Sequence, residues 1–259
     1  MNTNFEVRKE QIMAELNKKG SLTVKELEEM LHLSPASVRR LAAALEKNGA
    51  VLRVRGGIRL NSRSQDTYSF DIQEKEASAE KTRIARYAVG QIHDRQTVFL
   101  ESGSTLMQCA VALAERIRVK NFSEVTVFTN SYLNMKILES VTRTILVGGV
   151  YRSARQDFAG ILCERILSEY YFDHAIIGAD AINPNYGLMV LDFDTARIDE
   201  ILTKQSSRLT VVAHSSKFWK NSLIPFASLD DVSSIITDTG LSDEKLRSYK
   251  NAGCDVIRV

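Results

Sequence analysis

The chain has 259 residues, enough for one large domain or two smaller ones. At 44% hydrophobic and 25% charged it reads as an ordinary globular protein; it has no leader-like N-terminus and no apolar run approaching a membrane span, so we expect a cytoplasmic protein with no membrane partner. The net charge of +2 is unevenly divided: residues 1–60 hold 11 Lys/Arg against 7 Asp/Glu, leaving 23 against 25 in the remainder. A small basic N-terminal piece is what a nucleic-acid-binding module would carry. Cys109, Cys163 and Cys254 form no CxxC or Cys/His cluster. We therefore expect buried thiols in a reducing compartment, with no metal, disulfide or cofactor.

Phe5 to Lys19 places Ile12, Met13 and Leu16 on one helical stripe, and Gly20 ends it. Thr23-Val24-Lys25-Glu26 is a capping-box pattern that opens a second helix with Leu27, Met30 and Leu31 inward. His32-Leu33 is a short turn. Ser34 caps a third helix and Pro35 takes its first position. Val38, Leu41, Ala42 and Leu45 then recur at helical spacing until Gly49. Val51 to Leu60 alternates apolar and basic residues around Gly56-Gly57, the pattern of a small hairpin or wing. Three helices and a basic wing make a winged helix-turn-helix, whose third helix enters the major groove of double-stranded DNA by its N-terminal residues. The expected DNA contacts are Ser34, Ala36, Ser37, Arg39 and Arg40 on that helix, with Arg53 and Arg55 on the wing. Arginine pairs bidentately with guanine or with phosphate, and Ser37 reaches a base edge or a phosphate.

These residues resemble the DNA-binding signature of the DeoR family of bacterial sugar-catabolism regulators. The resemblance is carried by Leu22 to Leu27, by Leu33-Ser34-Pro35-Ala36-Ser37-Val38-Arg39-Arg40, by Leu45 to Gly49, and by Arg53-Val54-Arg55-Gly56-Gly57. The family has an acidic residue directly after the Arg-Arg pair; this chain has Leu41, which is free to join the core.

We read residues 1–60 as the DNA-binding domain, 61–74 as a linker and 75–259 as an α/β domain. The linker is polar and without period, and Tyr68 and Phe70 can pin its end to the next domain. Glu74 to Ile92 turns helical. Strands are then expected at Thr97–Glu101, Val125–Thr129, Thr144–Val147, Ala175–Gly178, Leu209–Ala213, Ile235–Thr237 and Val256–Val259. Helices are expected at Leu106–Val119, Tyr132–Ser140, Phe158–Tyr170, Thr195–Ser206 and Glu244–Asn251. Short apolar strands alternating with helices argue for a mainly parallel, doubly wound sheet covered on both faces.

The most informative stretch is Val98 to Leu106. An apolar run breaks into Glu101-Ser102-Gly103-Ser104-Thr105 and a helix follows at once. The unpaired N–H groups of a helix N-terminus, a flexible glycine and three hydroxyls describe a cradle for an anion, most simply a phosphate. The same stretch also serves as a plain helix cap. In parallel sheets ligands bind outside the carboxyl ends of the strands. The other expected strands end in Thr129-Asn130-Ser131, Gly148-Gly149, Gly178-Ala179-Asp180 and His214-Ser215-Ser216-Lys217. The candidate effector-binding residues are thus Ser102, Gly103, Ser104, Thr105, Thr129, Asn130, Gly148, Gly149, Asp180 and Lys217.

The order of these pieces, together with Glu80-Lys81, Phe158-Ala159-Gly160 and Ser216-Lys217-Phe218, also resembles the DeoR effector domain, a fold related to ribose-phosphate isomerases and glucosamine-phosphate deaminases. The resemblance implies that Ser102 to Thr105 and Asn130 hold the phosphate of a sugar and that Asp180 and Lys217 face the sugar itself. Two positions depart from the family: His214 stands where an Asp is usual, and Asp199 lies where a helix usually carries a Lys. Should the two meet across the cleft, the acidic and basic partners have changed places.

Taken together, the reading is a DNA-binding repressor of carbohydrate genes, relieved by a phosphorylated sugar and acting as a homo-oligomer on paired half-sites. Two alternatives stay open. One is a sugar-phosphate isomerase or deaminase with Glu101, Asp157 or Asp180 as base. The other is a DNA-binding protein whose α/β domain is ligand-blind.

Overall fold

The computed structural model describes residues 8, 11–12, 15–16, 21–47, 51–54, 56–60, 70–120 and 124–259. They divide into two compact units, Met1–Thr67 and Tyr68–Val259.

The first unit contains β1 (Ser21–Thr23), α1 (Val24–Leu31), α2 (Pro35–Lys47), β2 (Val51–Val54) and β3 (Gly57–Leu60). Thr23 and Glu26 close the expected capping box: the Thr23 hydroxyl accepts the Glu26 N–H at 3.2 Å, and the Glu26 carboxylate accepts the Thr23 N–H at 2.8 Å. His32, at φ +51°, ends α1 and turns the chain toward α2. The strands form an antiparallel sheet in the order β1-β3-β2. Gly57 is required there, because a Cβ at this position would stand 2.1 Å from the Leu22 carbonyl oxygen. Ile12, Leu16, Leu22, Leu27, Val38, Leu41, Leu45, Val51 and Ile58 form the core. Leu41 therefore packs inward, as a leucine in that position should. Met13, of the first expected helix, lies outside the described residues.

The second unit begins with α3 (Phe70–Lys75) and α4 (Ser78–Gly90), where one helix had been expected from Glu74. Ala77, at φ +50°, separates them. Phe70 is buried and its N–H reaches the Ala154 carbonyl, so the end of the polar stretch is part of this unit. There follow β4 (Thr97–Leu100), α5 (Ser104–Lys120), β5 (Thr126–Thr129), α6 (Tyr132–Leu138), β6 (Arg143–Leu146), β7 (Val150–Arg152), β8 (Asp157–Ala159) and α7 (Ile161–Ser168). The chain continues with β9 (His174–Ile177), β10 (Ala181–Asn183), β11 (Gly187–Val190), α8 (Phe193–Lys204), β12 (Leu209–Val212), β13 (Ile224–Ala227), β14 (Ser234–Thr237), α9 (Asp243–Asn251) and β15 (Val256–Arg258).

Seven of these strands form a parallel sheet in the order β15-β14-β12-β9-β4-β5-β6, and they are the seven that the apolar runs announce. Alternation along each strand feeds two cores. Val98, Leu100, Val127, Ile176, Val212 and Ile236 pack with α4 and α5 on one face. Phe99, Phe128, Ala175, Ile177, Val211 and Ile235 pack with α7, α8 and Tyr249 of α9 on the other. Burial on both faces is why these runs read as continuously apolar.

Two small accessory sheets were not expected: the hairpin β7-β8, and the antiparallel set β10-β11-β13. The first corrects the helix expected at Phe158–Tyr170, since Phe158 is a strand residue and Gly160, at φ +88°, separates it from α7. The order of the main sheet reverses between β4 and β9. Such a switch point opens a crevice at the carboxyl ends of the two strands.

Candidate functional site

The crevice is lined by Glu101 to Leu106 from the end of β4, by Gly178 to Asp180 from the end of β9, and by Val212 to His214 and Lys217 from beyond β12. Gln73 of α3, Lys81 of α4, Arg155 of the β7-β8 turn, Val190 of β11 and Thr195 of α8 complete it. Six of the ten expected effector residues therefore converge: Ser102, Gly103, Ser104, Thr105, Asp180 and Lys217.

The expected strand, glycine turn and helix start are present. β4 ends at Leu100, Gly103 turns the chain at φ +129°, and α5 starts at Ser104. Its first N–H groups have no acceptor within the helix. Two ammonium groups stand at this loop. Lys217 was expected; Lys81 was quoted only within the Glu80-Lys81 piece and given no role. Lys81 is buried, and its Nζ donates to the Gln73 carbonyl. Burial and then the neighbouring Lys217 push its ammonium below the usual lysine range, against the pull of Glu76 and Glu74.

The other four expected residues do not line the crevice. Asn130 is buried beneath the loop; its Oδ1 accepts the Ser102 N–H at 3.0 Å and its Nδ2 donates to the Phe158 carbonyl at 3.2 Å. Its amide is thus spent on holding the loop. Thr129 is also buried, and its hydroxyl accepts from the Ser131 N–H at 3.1 Å and from Asn134 Nδ2 at 3.4 Å. Gly148 and Gly149 lead into the hairpin. A Cβ on Gly149 would stand 2.5 Å from the Ala159 carbonyl oxygen, so this glycine serves the approach of two backbones.

Beside the loop lies a network of buried charge. Asp157 accepts two bonds from Arg152, Nε to Oδ1 at 2.8 Å and Nη2 to Oδ2 at 2.7 Å, and a third from the Ser102 hydroxyl at 2.7 Å. Arg152 also reaches Asp192, the N-cap of α8, at 2.6 Å. Arg155 pairs with the same Asp192 at 2.7 Å and stands 3.9 Å from Asp180. Burial opposes ionisation of Asp192, but Arg155, the Thr195 N–H and Arg152 hold its carboxyl below the usual range. Asp180 accepts the Leu191 N–H at 2.9 Å.

Glu101 and Asp199 behave differently. Glu101 is buried; its Oε2 accepts the Gly178 N–H at 2.8 Å, and burial, with repulsion from Asp157 and Asp180, pushes its carboxyl up to about 8. Asp199 of α8 is fully buried, neither oxygen has a hydrogen-bond partner among the described residues, and burial followed by repulsion from Glu101, Asp180 and Asp192 raises it far above the usual range, against the pull of Arg155. His214 does not meet it. The imidazole Nδ1 lies 2.8 Å from the Ser216 hydroxyl, and Nε2 lies 3.6 Å from Asp238. The exchange of acidic and basic partners considered from the sequence is therefore not a pair.

In the first unit, Ser34, Ala36, Arg39 and Arg40 are exposed at the start of α2, and Ser37 is half-buried beside them. Ser37 donates its N–H to Ser34 Oγ at 3.4 Å, and Arg40 Nη2 approaches Ser37 Oγ at 3.5 Å. Arg53 is turned onto α2: its Nε meets Glu46 at 2.7 Å and its N–H meets the same carboxylate at 3.0 Å. It braces the wing against the helix, a partner that no reading of the wing alone suggests. Arg55 lies outside the described residues. Among the described residues no helix is long and apolar enough to cross a membrane.

Residues 8–64 match the DeoR-like helix-turn-helix domain and residues 76–239 match the DeoR C terminal sensor domain. The chain is 29% identical to a putative aga operon transcriptional repressor of Escherichia coli O157:H7, over 99% of this chain and 95% of the relative. It is 30% identical to the lactose phosphotransferase system repressor of Staphylococcus epidermidis, over 93% of this chain and 96% of that protein. A likeness to the ribose 5-phosphate isomerase A structure from Methanocaldococcus jannaschii spans 53% of each chain at 20% identity, with a TM-score of 0.39. With its helix-turn-helix followed by the matching sensor domain, the chain belongs to the DeoR family.

Proposed function

We propose that the protein is a transcriptional repressor of carbohydrate genes whose grip on operator DNA is relieved by a phosphorylated sugar bound at the β4/β9 crevice. The observation that carries this is the convergence of Ser102 to Thr105, Lys81 and Lys217 at one helix N-terminus. That set is an anion site by its chemistry. Residues 1–60 bind DNA through α2 and the wing, 75–259 sense the effector, and 61–74 join them. Gln73, near the end of that joining stretch, lines the crevice. Ser102 to Thr105, with Lys217 and Lys81, hold the phosphate; Asp180 faces the sugar; Asn130 positions the loop from beneath.

Acting on paired half-sites requires two copies, so we infer a homo-oligomer. The effector binds the DNA-competent and DNA-free arrangements with different affinity and so shifts the balance between them. We infer no turnover. Of the three carboxyls considered as a base, Asp157 is saturated by Arg152 and Ser102, Glu101 is buried and accepts the Gly178 N–H, and Asp180 accepts the Leu191 N–H with Arg155 3.9 Å away.

The test is thermal unfolding of the purified protein against a panel of sugar phosphates and their unphosphorylated parents. A ligand at about a hundred times its dissociation constant adds about 2.7 kcal/mol to the native state. Stabilisation by a phosphate ester, absent with its parent sugar and lost in Ser104→Ala/Thr105→Ala, is the expected result. A panel without any shift would sink the reading.

A further inference from the structure

The exposed large apolar side chains of the second unit are most concentrated on and just after α7. Ile161 is 67% exposed and Leu162 59%, and Ile166, Tyr170 and Tyr171 are exposed as well. At about 3.6 residues per turn, Ile161, Leu162, Arg165, Ile166 and Glu169 fall on one face. Cys163 and Leu167 fall on the opposite face and are fully buried in the core. Glu164 turns sideways to α8, where Arg197 Nε stands 3.8 Å away. α7 is therefore apolar on both sides, the pattern of a helix that is covered on both. Two neighbours extend the outer face. Val150 of β7 is exposed beside the start of α7, since a Cβ on Gly160 would stand 3.9 Å from its Cγ2. Phe193 is exposed on α8, one turn before Arg197 and on the same side of that helix. Exposed apolar surface gathered in this way marks an interaction surface. None of these residues lines the crevice.

The charges on this face say what covers it. Arg165 and Glu169 are exposed, and among the described residues neither has an ion-pair partner. In chain order the face runs apolar, basic, apolar, acidic, apolar: Ile161-Leu162, Arg165, Ile166, Glu169, Tyr170-Tyr171. Reversed, it keeps its apolar ends and exchanges its charges. The face is thus complementary to an antiparallel copy of itself, which is what a two-fold contact requires and what a partner of another kind does not. We propose that two copies of the chain join here, α7 against α7, across a two-fold axis near Leu167. That axis lays Ile161 and Leu162 toward Tyr170 and Tyr171 of the partner subunit. It also sets Arg165 opposite Glu169 of the partner subunit, and by symmetry does so twice. The apolar side chains supply the water-free centre of the contact, and the two charge pairs fix its register. The proposal rests on the homo-oligomer reading above and gives that assembly its surface.

Size-exclusion chromatography with light scattering, run on the full-length protein over a range of concentrations, tests this. The wild type is expected as a dimer or a larger assembly. Leu162→Glu/Ile166→Glu is expected to give a smaller species at the same concentration, with the far-ultraviolet circular dichroism of the wild type, because both side chains are exposed within one chain. Arg165→Glu and Glu169→Arg bring like charges face to face, so each alone is expected to weaken assembly about 10-fold. Combined in one chain they restore opposite charges, and assembly is expected to recover. Recovery is a result that general damage to the fold would not produce. Wild-type assembly in Leu162→Glu/Ile166→Glu overturns the proposal and leaves the homo-oligomer reading standing, with this face covered by another element or another protein. A combined charge exchange that assembles more weakly than either single variant also overturns it. A wild type that stays monomeric at the highest concentration reached overturns the proposal and the homo-oligomer reading together.

Discussion

Ser102 and Asp157 are separated by 55 residues of chain and joined by a hydrogen bond of 2.7 Å. The bond fastens the β4–α5 loop to the β7-β8 hairpin, and through Arg152 to the N-cap of α8. Asp157 has no exposure, so its charge depends on Arg152. Removing one partner of a buried pair leaves an uncompensated charge at a cost of about 3–5 kcal/mol. Arg152→Ala should therefore lower the urea midpoint of the second unit severely, whereas Ser102→Ala should cost about 1 kcal/mol. An Arg152→Ala protein that unfolds at the wild-type midpoint would show that the network contributes nothing to stability.

Stability should also fall as the pH rises. The Glu101 carboxyl moves from its ordinary 4.5 to about 8 on folding, chiefly by burial. Between those values the native state keeps a proton that the unfolded chain has lost. This contribution is complete below about pH 4.5 and disappears as the pH climbs through about 8. Asp199 is raised as well, so it acts in the same direction. The loss approaches about 1.4 kcal/mol per pH unit for one such group. Urea midpoints at pH 6 and pH 8 should differ clearly in the wild type and less in Asp199→Asn. A midpoint that rises from pH 6 to pH 8 would contradict the neutral state of these carboxyls.

The lysines at the cradle give an independent check. Lys81 is buried, and repulsion from Lys217 adds to the desolvation that weakens its charge. An arriving phosphate reverses both effects, and a charge-assisted hydrogen bond is worth about 1.5–3 kcal/mol. Lys81→Met should therefore lower affinity for the phosphate ester by about 10-fold or more, as measured by titration, with the unphosphorylated parent sugar unaffected. Lys217→Met should weaken binding less, because its ammonium is partly solvated. Equal affinity in Lys81→Met and wild type would remove Lys81 from the site.

The main sheet was legible because its strands are buried on both faces. Val98 to Leu100 and Ala175 to Ile177 can be nothing but interior. The accessory strands were not, and the reason is physical. Val150-Tyr151-Arg152 pairs only with Asp157-Phe158-Ala159, and Val150 and Tyr151 are exposed, so no apolar run marks the place. The β4–α5 turn was readable from the local sequence alone, since a strand end, a glycine and a helix start adjoin in the chain. Asn130, Thr129 and Gly149 also follow strand ends, but whether such a residue faces the crevice or supports it depends on contacts distant in sequence, such as Ser102 to Asn130. Lys81 comes from a helix outside the strand-end pattern, and nothing near it in the chain points to an anion.

Two of the arginines read as DNA contacts, Arg40 on α2 and Arg53 on the wing, should separate experimentally. Arg40 is exposed near the N-terminus of α2, with only a 3.5 Å approach to Ser37. Arg53 is half-exposed but bonded to Glu46 at 2.7 Å, and the same carboxylate holds its backbone N–H. Its charge is already partly answered, so it has less to offer a phosphate. Arg40→Ala should weaken operator binding by about 1–3 kcal/mol if it pairs with a base, with specificity relaxed at that position. If it contacts a phosphate, binding to all sequences should weaken alike and the slope of log affinity against log salt should fall by about 0.9. Arg53→Ala should change the salt slope by less and should instead lower the thermal stability of the first unit, because the wing loses its brace to α2. Band-shift titrations at three salt concentrations with both variants measure this directly. A salt slope altered more by Arg53→Ala than by Arg40→Ala would mean that Arg53 leaves Glu46 when DNA binds, and that the wing is the principal phosphate clamp.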